Sequence, residues 1–237
     1  AQRAIGDTGL TATVTGTFAS DYLFRGISQT RSRPAWQGNA EIEHTSGVYV
    51  GAFISNVAFQ GTDARQEIDV FGGYRVLLGG VKLDFGGIGY LYPGYNAPPG
   101  SPSGTLDFAE MYVRASYEIG PVNLLSGFYY SPHYFGRSGA GYYLEGGADW
   151  KTGVWDLTLS GRLGYQWVQN NATFGVPDYL WWGVTLSREF PIERVGTIVI
   201  TAGYFQTNIS QSQCVPTIYG GQNICEARAN GSIAFRF

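Results

Sequence analysis

Residues 227–237 read Ala227-Arg228-Ala229-Asn230-Gly231-Ser232-Ile233-Ala234-Phe235-Arg236-Phe237. Polar and apolar positions alternate along them. Arg228, Asn230, Ser232 and Arg236 fall on one face, and Ala229, Gly231, Ile233, Phe235 and Phe237 on the other. Successive side chains of an extended strand point to opposite sides, so the stretch reads as a strand lying between two unlike solvents. A terminal strand of that kind suits the closing staple of a barrel.

Working outward, the 237-residue chain shows no composition break or linker, which predicts one domain over residues 1–237. Hydrophobic residues make up 44% and the mean hydropathy is -0.09, and no stretch approaches the roughly 20 apolar residues of a spanning helix. Yet 16% aromatics, 35 glycines and only two lysines are unusual for a soluble domain. A barrel whose outer wall faces lipid spreads its hydrophobicity over every second residue, so the average stays near neutral while one surface is greasy.

Twelve segments of alternating polarity follow one another: 10–24, 35–44, 48–59, 66–78, 81–93, 106–118, 121–132, 141–151, 154–168, 178–190, 196–208 and 227–237. Each is about the length a tilted strand needs to cross a bilayer. Thr45-Ser46-Gly47, Gly79-Gly80, Ile119-Gly120 and Thr152-Gly153 read as tight turns, with 191–195 a slightly longer fifth. The other connections, 25–34, 60–65, 94–105, 133–140, 169–177 and 209–226, are longer. Short and long connections therefore alternate. The expected fold is an all-β, transmembrane, antiparallel up-and-down β-barrel of twelve strands, with short turns and both termini periplasmic and long loops extracellular.

Residues paired across a hairpin share a face, so register can be tested. The Gly79-Gly80 turn sets Arg75 opposite Asp84 on the polar face and Val76 opposite Leu83 on the apolar one, and the 45–47 turn sets Ile42 opposite Val50. One pairing is unfavourable: Asp149 falls opposite Asp156. The outward face collects aliphatics such as Val14, Val50, Val70, Val113, Leu144, Leu163, Val184 and Ile200. Tyr22, Trp36, Tyr117, Tyr142, Trp150, Trp155, Trp182 and Phe237 near strand ends are expected in two interfacial girdles.

The inward positions carry the charge. Asp21, Glu41, Glu43, Glu67, Asp69, Asp84, Glu110, Glu118, Glu145, Asp149 and Asp156 are expected inside with Arg25, Arg75, Lys82, Arg114, Arg162, Arg228 and Arg236. Burying so many ions unpaired in a dry core would cost several kcal/mol apiece, so the lumen is wet or densely paired. Eight strands fill with side chains and sixteen leave a channel, so twelve predict a narrow aqueous pore. Glu41, Asp69, Glu110, Tyr112, Arg114, Glu145 and Arg162 lie nearest mid-strand and are the candidate constriction, where opposed acids and arginines would set up a transverse field. The alternative is that they simply tie strands together. The excess of inward acids points to cations or zwitterions as permeants.

The final Phe237 after alternating apolar positions resembles the assembly signal of outer-membrane barrels. The stretch Ser20-Asp21-Tyr22-Leu23-Phe24-Arg25-Gly26-Ile27-Ser28-Gln29, followed by Pro34-Ala35-Trp36-Gln37-Gly38, resembles the amino-terminal signature of the TorF-type porins of proteobacteria. Ser46-Gly47-Val48-Tyr49-Val50-Gly51, Ser55-Asn56-Val57, Glu67-Ile68-Asp69 with Gly72-Gly73-Tyr74, Tyr90-Leu91-Tyr92-Pro93-Gly94 and Glu110-Met111-Tyr112-Val113 are similar to later blocks of that family. The likeness covers roughly residues 8–237, is most specific in the first half and weakens beyond about 135. It implies an outer-membrane pore of a Gram-negative bacterium and brings no catalytic residues. Within the motif, Asp21 and Arg25 are expected to pair or to brace the first loop, and the proline-rich stretch 95–105 to narrow the mouth or to lie on the surface as an ordinary loop.

Passive transport of small polar solutes or ions is the first functional reading, with outer-membrane lipids and lipopolysaccharide as surroundings. A plugged structural or adhesive barrel with ligand-binding loops is the second. An outer-membrane lipid-modifying enzyme is the third, but Ser131 and His133 stand two apart on one strand, a poor dyad, and His44 sits on the apolar face. No cofactor or metal is implied. The formal charge of -3, without a basic face, argues against nucleic acid. Cys214 and Cys225 close a short polar segment, which suits a loop disulfide in an oxidising compartment. The sequence opens at Ala1-Gln2 without a charged n-region or apolar h-region, so an export signal is expected to have been removed. Outward Gly72, Gly146 and Gly161 fit either close protomer packing in a homo-oligomer or relief of strand curvature.

Overall fold

The computed structural model describes residues 3–101, 104–214 and 221–237. Twelve long strands succeed one another: β1 (Leu10–Ala19), β2 (Ala35–His44), β3 (Val48–Asn56), β4 (Gln66–Leu78), β5 (Val81–Leu91), β6 (Phe108–Ile119), β7 (Val122–Ser131), β8 (Gly141–Lys151), β9 (Leu157–Val168), β10 (Tyr179–Ile192), β11 (Gly196–Thr207) and β12 (Arg228–Arg236). Each pairs antiparallel with its neighbours in the chain, and β12 returns to β1, with Ser232 opposite Ala19 and Arg236 opposite Thr15. The barrel is therefore closed, and among the described residues none of the twelve long strands is left as an open edge.

The period-two pattern becomes two surfaces. Val48 and Val50 are 55% and 56% exposed, while Tyr49 between them is 2% exposed. Val14, Val70, Val113, Leu144, Leu163, Val184 and Ile200 all lie on the same exposed outer coat. Exposed aliphatics in this number mark a surface that meets something other than water. The register follows expectation: Arg75 faces Asp84, Val76 faces Leu83, and Ile42 faces Val50. Gly79 and Gly80 both take positive φ, as the twist of a two-residue hairpin requires.

Strand β1 stops at Ala19 rather than residue 24, and the chain from 20 to 34 turns into the barrel as a small hairpin pairing Leu23–Phe24 with Ile27–Ser28. Gly26, at φ 81, sits at its tip against Trp181, where a β-carbon would lie 2.8 Å from the tryptophan Cβ. Tyr22 consequently leaves the girdle and points inside, donating its hydroxyl to Glu67 at 2.6 Å. Trp36, Tyr117, Tyr142, Trp150, Trp155 and Phe237 remain exposed.

The acid pair also dissolves. Asp149 faces Ser160, because residues 152–156 form a longer turn in which Trp155 and Asp156 adopt positive φ. Asp156 thereby sits outside the lumen, 3.9 Å from Arg188, with its side chain 88% exposed. Strand β10 runs through Pro191 to Ile192, so the turn after it shortens to 193–195.

The long connections gather at one rim and fold over it, and a one-turn helix, Asn171–Phe174, forms in the loop after β9. Tyr92, Leu106, Phe108, Tyr134 and Val168 pack into one apolar cluster there, and Ile27, Val176, Tyr179, Trp181, Ile209, Cys214 and Cys225 into another. This roof lies over the mouth that the loops surround.

Candidate functional site

The lumen is divided by two side-chain partitions. The upper one is built on the first loop. Arg25 donates to both oxygens of Glu110, at 2.9 and 2.7 Å, and to Gln166 at 2.6 Å, while its guanidinium lies 3.8 Å from the Tyr143 ring centre. Tyr90 adds a hydrogen bond to Glu110 at 3.0 Å. A bidentate guanidinium–carboxylate pair fixes direction as well as distance, so the hairpin is held in one orientation. Burial by itself would push the Arg25 guanidinium down, and the Glu110 charge, the Tyr134 and Tyr90 hydroxyls and the hydrogen bonds to Glu110 together outweigh it, holding Arg25 protonated well above its usual range.

Of the two expectations for Asp21 and Arg25, the direct pair does not form, and each residue braces the first loop. Asp21 instead accepts from Arg228 at 2.9 Å, and from Ser28 at 2.6 Å and Thr30 at 2.7 Å, so it ties the base of the hairpin to β12. Glu67 accepts from Tyr22 and Tyr92, and Asp69 beside it makes no hydrogen bond through its buried Oδ1.

The lower partition lies toward the turn rim. Arg75 donates to Glu41 at 2.6 Å and to Glu43, and stands 3.4 Å from Asp84, while Arg114 donates to Asp84 at 2.6 Å. The Tyr49 and Tyr112 hydroxyls join each other, and Tyr49 also donates to Asp84 at 2.6 Å. Arg75 stacks 3.7 Å over the Tyr49 ring. Further round the wall, Arg162 pairs with Asp149 at 2.6 Å, and Glu145 accepts from Tyr143 at 2.9 Å and Tyr129 at 3.2 Å.

These charges do not form opposed ladders across the lumen. At mid-height they occupy β2 to β9, whereas inward positions from β10 round to β1 carry hydroxyls: Ser187, Thr201 and Ser232 face one another in register across β10 to β12, and Thr185, Thr15 and Thr17 lie on the same inward face. Ions and counter-ions alternate along one wall and hydroxyls cover the other. Between the partitions lies a cavity of about 390 Å³, and below the lower one a cavity of about 540 Å³, with Arg75 and Arg114 lining both. A third space of about 230 Å³, lined mainly by aromatic and aliphatic groups of the loops, sits above Phe24.

Of the candidate pore residues, Asp69, Arg75, Glu41, Tyr112 and Arg114 face the middle cavity, and Asp84, Glu145 and Arg162 the lower one. Arg25, Glu110, Asp21 and Arg228 belong to the upper bracing. Sequence reading passed over the tyrosines and the glutamine that complete the network, Tyr49, Tyr90, Tyr134, Tyr143 and Gln166. Inward parity marks Tyr49, Tyr90, Tyr143 and Gln166, whereas Tyr134 lies in the loop after β7, where parity carries no signal.

Ser131 is fully buried with its hydroxyl unpartnered, and His133 is exposed, so the two form no dyad. His44 bonds Ser46 at the turn rim. Cys214 and Cys225 form a disulfide, 2.06 Å between sulfurs, and both are buried. Among the loops, Asn96 donates from backbone and side chain to Asp63 at 2.9 and 2.8 Å, which holds that exposed carboxyl below its usual range. The proline-rich loop 95–105 is thus tied to its neighbour at its start; residues 102 and 103 of it lie outside the described residues.

Comparison with solved structures finds the KdgM porin, at 10% identity over 95% of this chain and 98% of that one, with a TM-score of 0.56. The NanC porin, at 14% identity over 95% and 98%, gives 0.57. A KdgM porin in complex with disordered oligogalacturonate, at 10% identity over 95% and 99%, also gives 0.57. The shared feature is the porin-type barrel fold. A sequence comparison with curated proteins finds no match. A family profile described as a bacterial protein of unknown function, Gcw_chp, matches residues 2–232, and the chain belongs to that family.

Proposed function

We propose that the protein is an outer-membrane porin of a Gram-negative bacterium: a narrow water-filled channel for passive diffusion of small polar solutes or ions. The observation that carries this reading is an ionic wall, Glu41, Arg75, Asp84 and Arg114, enclosed in a coat of exposed aliphatic side chains. Charges inside and hydrocarbon outside is the arrangement a bilayer demands of a barrel with a wet lumen. Residues 1–237 act as one domain, with the short turns and both termini on the periplasmic side and the roofed rim toward lipopolysaccharide. The kinship with the TorF-type porins rests on the motifs of the first half. The residues that meet permeant are Glu41, Asp69, Arg75, Asp84, Tyr112, Arg114, Glu145 and Arg162, and Asp21, Arg25, Glu110 and Arg228 set the upper constriction. The reading involves no enzyme chemistry.

Single-channel recording in a planar bilayer tests it. The expected result is a small, steady, ohmic step. A second reading, a plugged barrel whose loops bind a partner, is favoured by one observation, the inward hairpin clasped by Arg25 and Glu110. Silence at every voltage, both for the wild type and for a variant lacking Arg25, would overturn the channel and leave the second reading.

A further inference from the structure

The carboxylates buried in the lumen are satisfied with one exception. Glu110 is held by Arg25 and Tyr90, Glu67 by Tyr22 and Tyr92, Asp84 by Arg114 and Tyr49, and Asp21 by Arg228. Asp69 is 5% exposed, its Oδ1 is buried without a hydrogen bond, and it joins no ion pair among the described residues. It stands two residues from Glu67 on one face of β4, and its cross-strand partner Tyr90 reaches Glu110. A lone carboxylate beside two others, shielded from bulk water, lacks a counter-charge.

Among the described residues no arginine beside the cavity is free to supply one. Arg25 is spent on Glu110 and Gln166, Arg75 on Glu41 and Glu43, and Arg114 on Asp84. Lys82 lines the lower cavity instead. The cavity that Asp69 lines, about 390 Å³, is walled by the rings of Tyr22, Phe53, Phe71, Tyr90 and Tyr112. Aromatic faces attract cations, and organic ammonium groups most of all in such boxes. Among the described residues no cluster has the donors to hold a metal ion. Glu41, Arg75 and Arg114 line the same cavity but are committed to the ion pairs of the lower partition, which leaves Asp69 as the carboxylate that suits an ammonium head with carbon around it. The lower partition sets three carboxylates, Glu41, Glu43 and Asp84, against two guanidiniums, and beneath it Glu145 lines the lower cavity with Lys82 and Arg162.

We propose that Asp69 anchors a binding site for small organic ammonium solutes in the middle of the lumen, reached from the turn rim. This deepens the porin reading and rests on it for the route, since the site names the class of permeant that dwells there longest.

The test is calorimetric titration of the folded barrel in detergent micelles with choline chloride, against sodium chloride at equal ionic strength. Saturable choline binding is expected, at least about tenfold weaker for the uncharged carbon isostere of choline and in the Asp69→Asn variant. No saturable binding by the wild type, equal affinity for choline and its isostere, or unchanged affinity in a folded Asp69→Asn barrel would each overturn the site. Should that variant fail to fold, the isostere comparison on the wild type decides alone. Binding in micelles needs no conduction, so a silent channel that binds choline sinks only the porin reading. An ohmic channel that ignores choline sinks only the site.

Discussion

Arg25, in the first loop, and Glu110, on β6, are joined by two parallel hydrogen bonds of 2.9 and 2.7 Å across 85 residues of chain, with both side chains nearly inaccessible to water. This one pair fixes an inward hairpin to the opposite side of the lumen. Two buried ions in contact contribute little net stability, but losing one partner strands the other.

The first prediction follows from that asymmetry. Arg25→Ala leaves the Glu110 carboxylate buried beside Tyr90 and Gln166 without its counter-ion, and should destabilise the barrel by about 3–5 kcal/mol. Denaturant unfolding measures the loss. The freed hairpin should also raise single-channel conductance, and an unchanged conductance with a folded barrel would show that the hairpin does not narrow the path.

Val113 is outward at the middle of β6 and 45% exposed. Val113→Arg should cost about 2–4 kcal/mol in lipid vesicles, as a charge at the bilayer midplane does. On a water-facing surface the same change stays within about 0.5 kcal/mol. Equilibrium unfolding from vesicles separates the two, and a near-neutral outcome contradicts a lipid-facing coat.

Asp84 serves two arginines at once, 2.6 Å from Arg114 and 3.4 Å from Arg75. Asp84→Asn removes one negative charge from the partition between the two lumen cavities while keeping the side chain's shape. The reversal potential under a salt gradient should move toward the anion. Stability should fall by about 1–3 kcal/mol as charge-assisted bonds become neutral ones.

At the loop rim, the Asp63 carboxyl lies below its usual range because Asn96 donates to it twice. A depressed folded value means the clasp contributes stability above the ordinary carboxylate pKa of about 3.9 and loses it as the pH falls through the lower, folded value. The Asn96 backbone amide should therefore shift with acid titration in nuclear magnetic resonance spectra. An Asp63→Asn variant should show no such step, and persistence of the step there would assign it to another group.

The disulfide closes a loop with a sequence separation of 11, and Thr207 donates to the Cys225 carbonyl at 2.7 Å. Reduction should lower stability by roughly 2–3 kcal/mol, the loop-entropy scale for a short cycle. Proteolysis should then cut first within 209–226, with the β-sheet circular dichroism intact. Cleavage starting elsewhere would count against this account.

The sequence by itself determined the wall. Side-chain alternation is a covalent property of extended backbone, so parity sorted Val48, Tyr49 and Val50 correctly, placed β4 and β8 at their observed bounds of 66–78 and 141–151, and put Arg75 opposite Asp84. What parity cannot carry is the path of a chain that has left the sheet. Only the tertiary structure decided that residues 20–34 turn inward, that Arg25 takes Glu110 while Asp21 takes Arg228, and that the extended 152–156 turn moves Asp156 out of the lumen. The physical reason is that a buried ion is satisfied by whichever counter-charge closure of the barrel brings within reach. Closure joins groups 85 and 207 residues apart that no local periodicity relates.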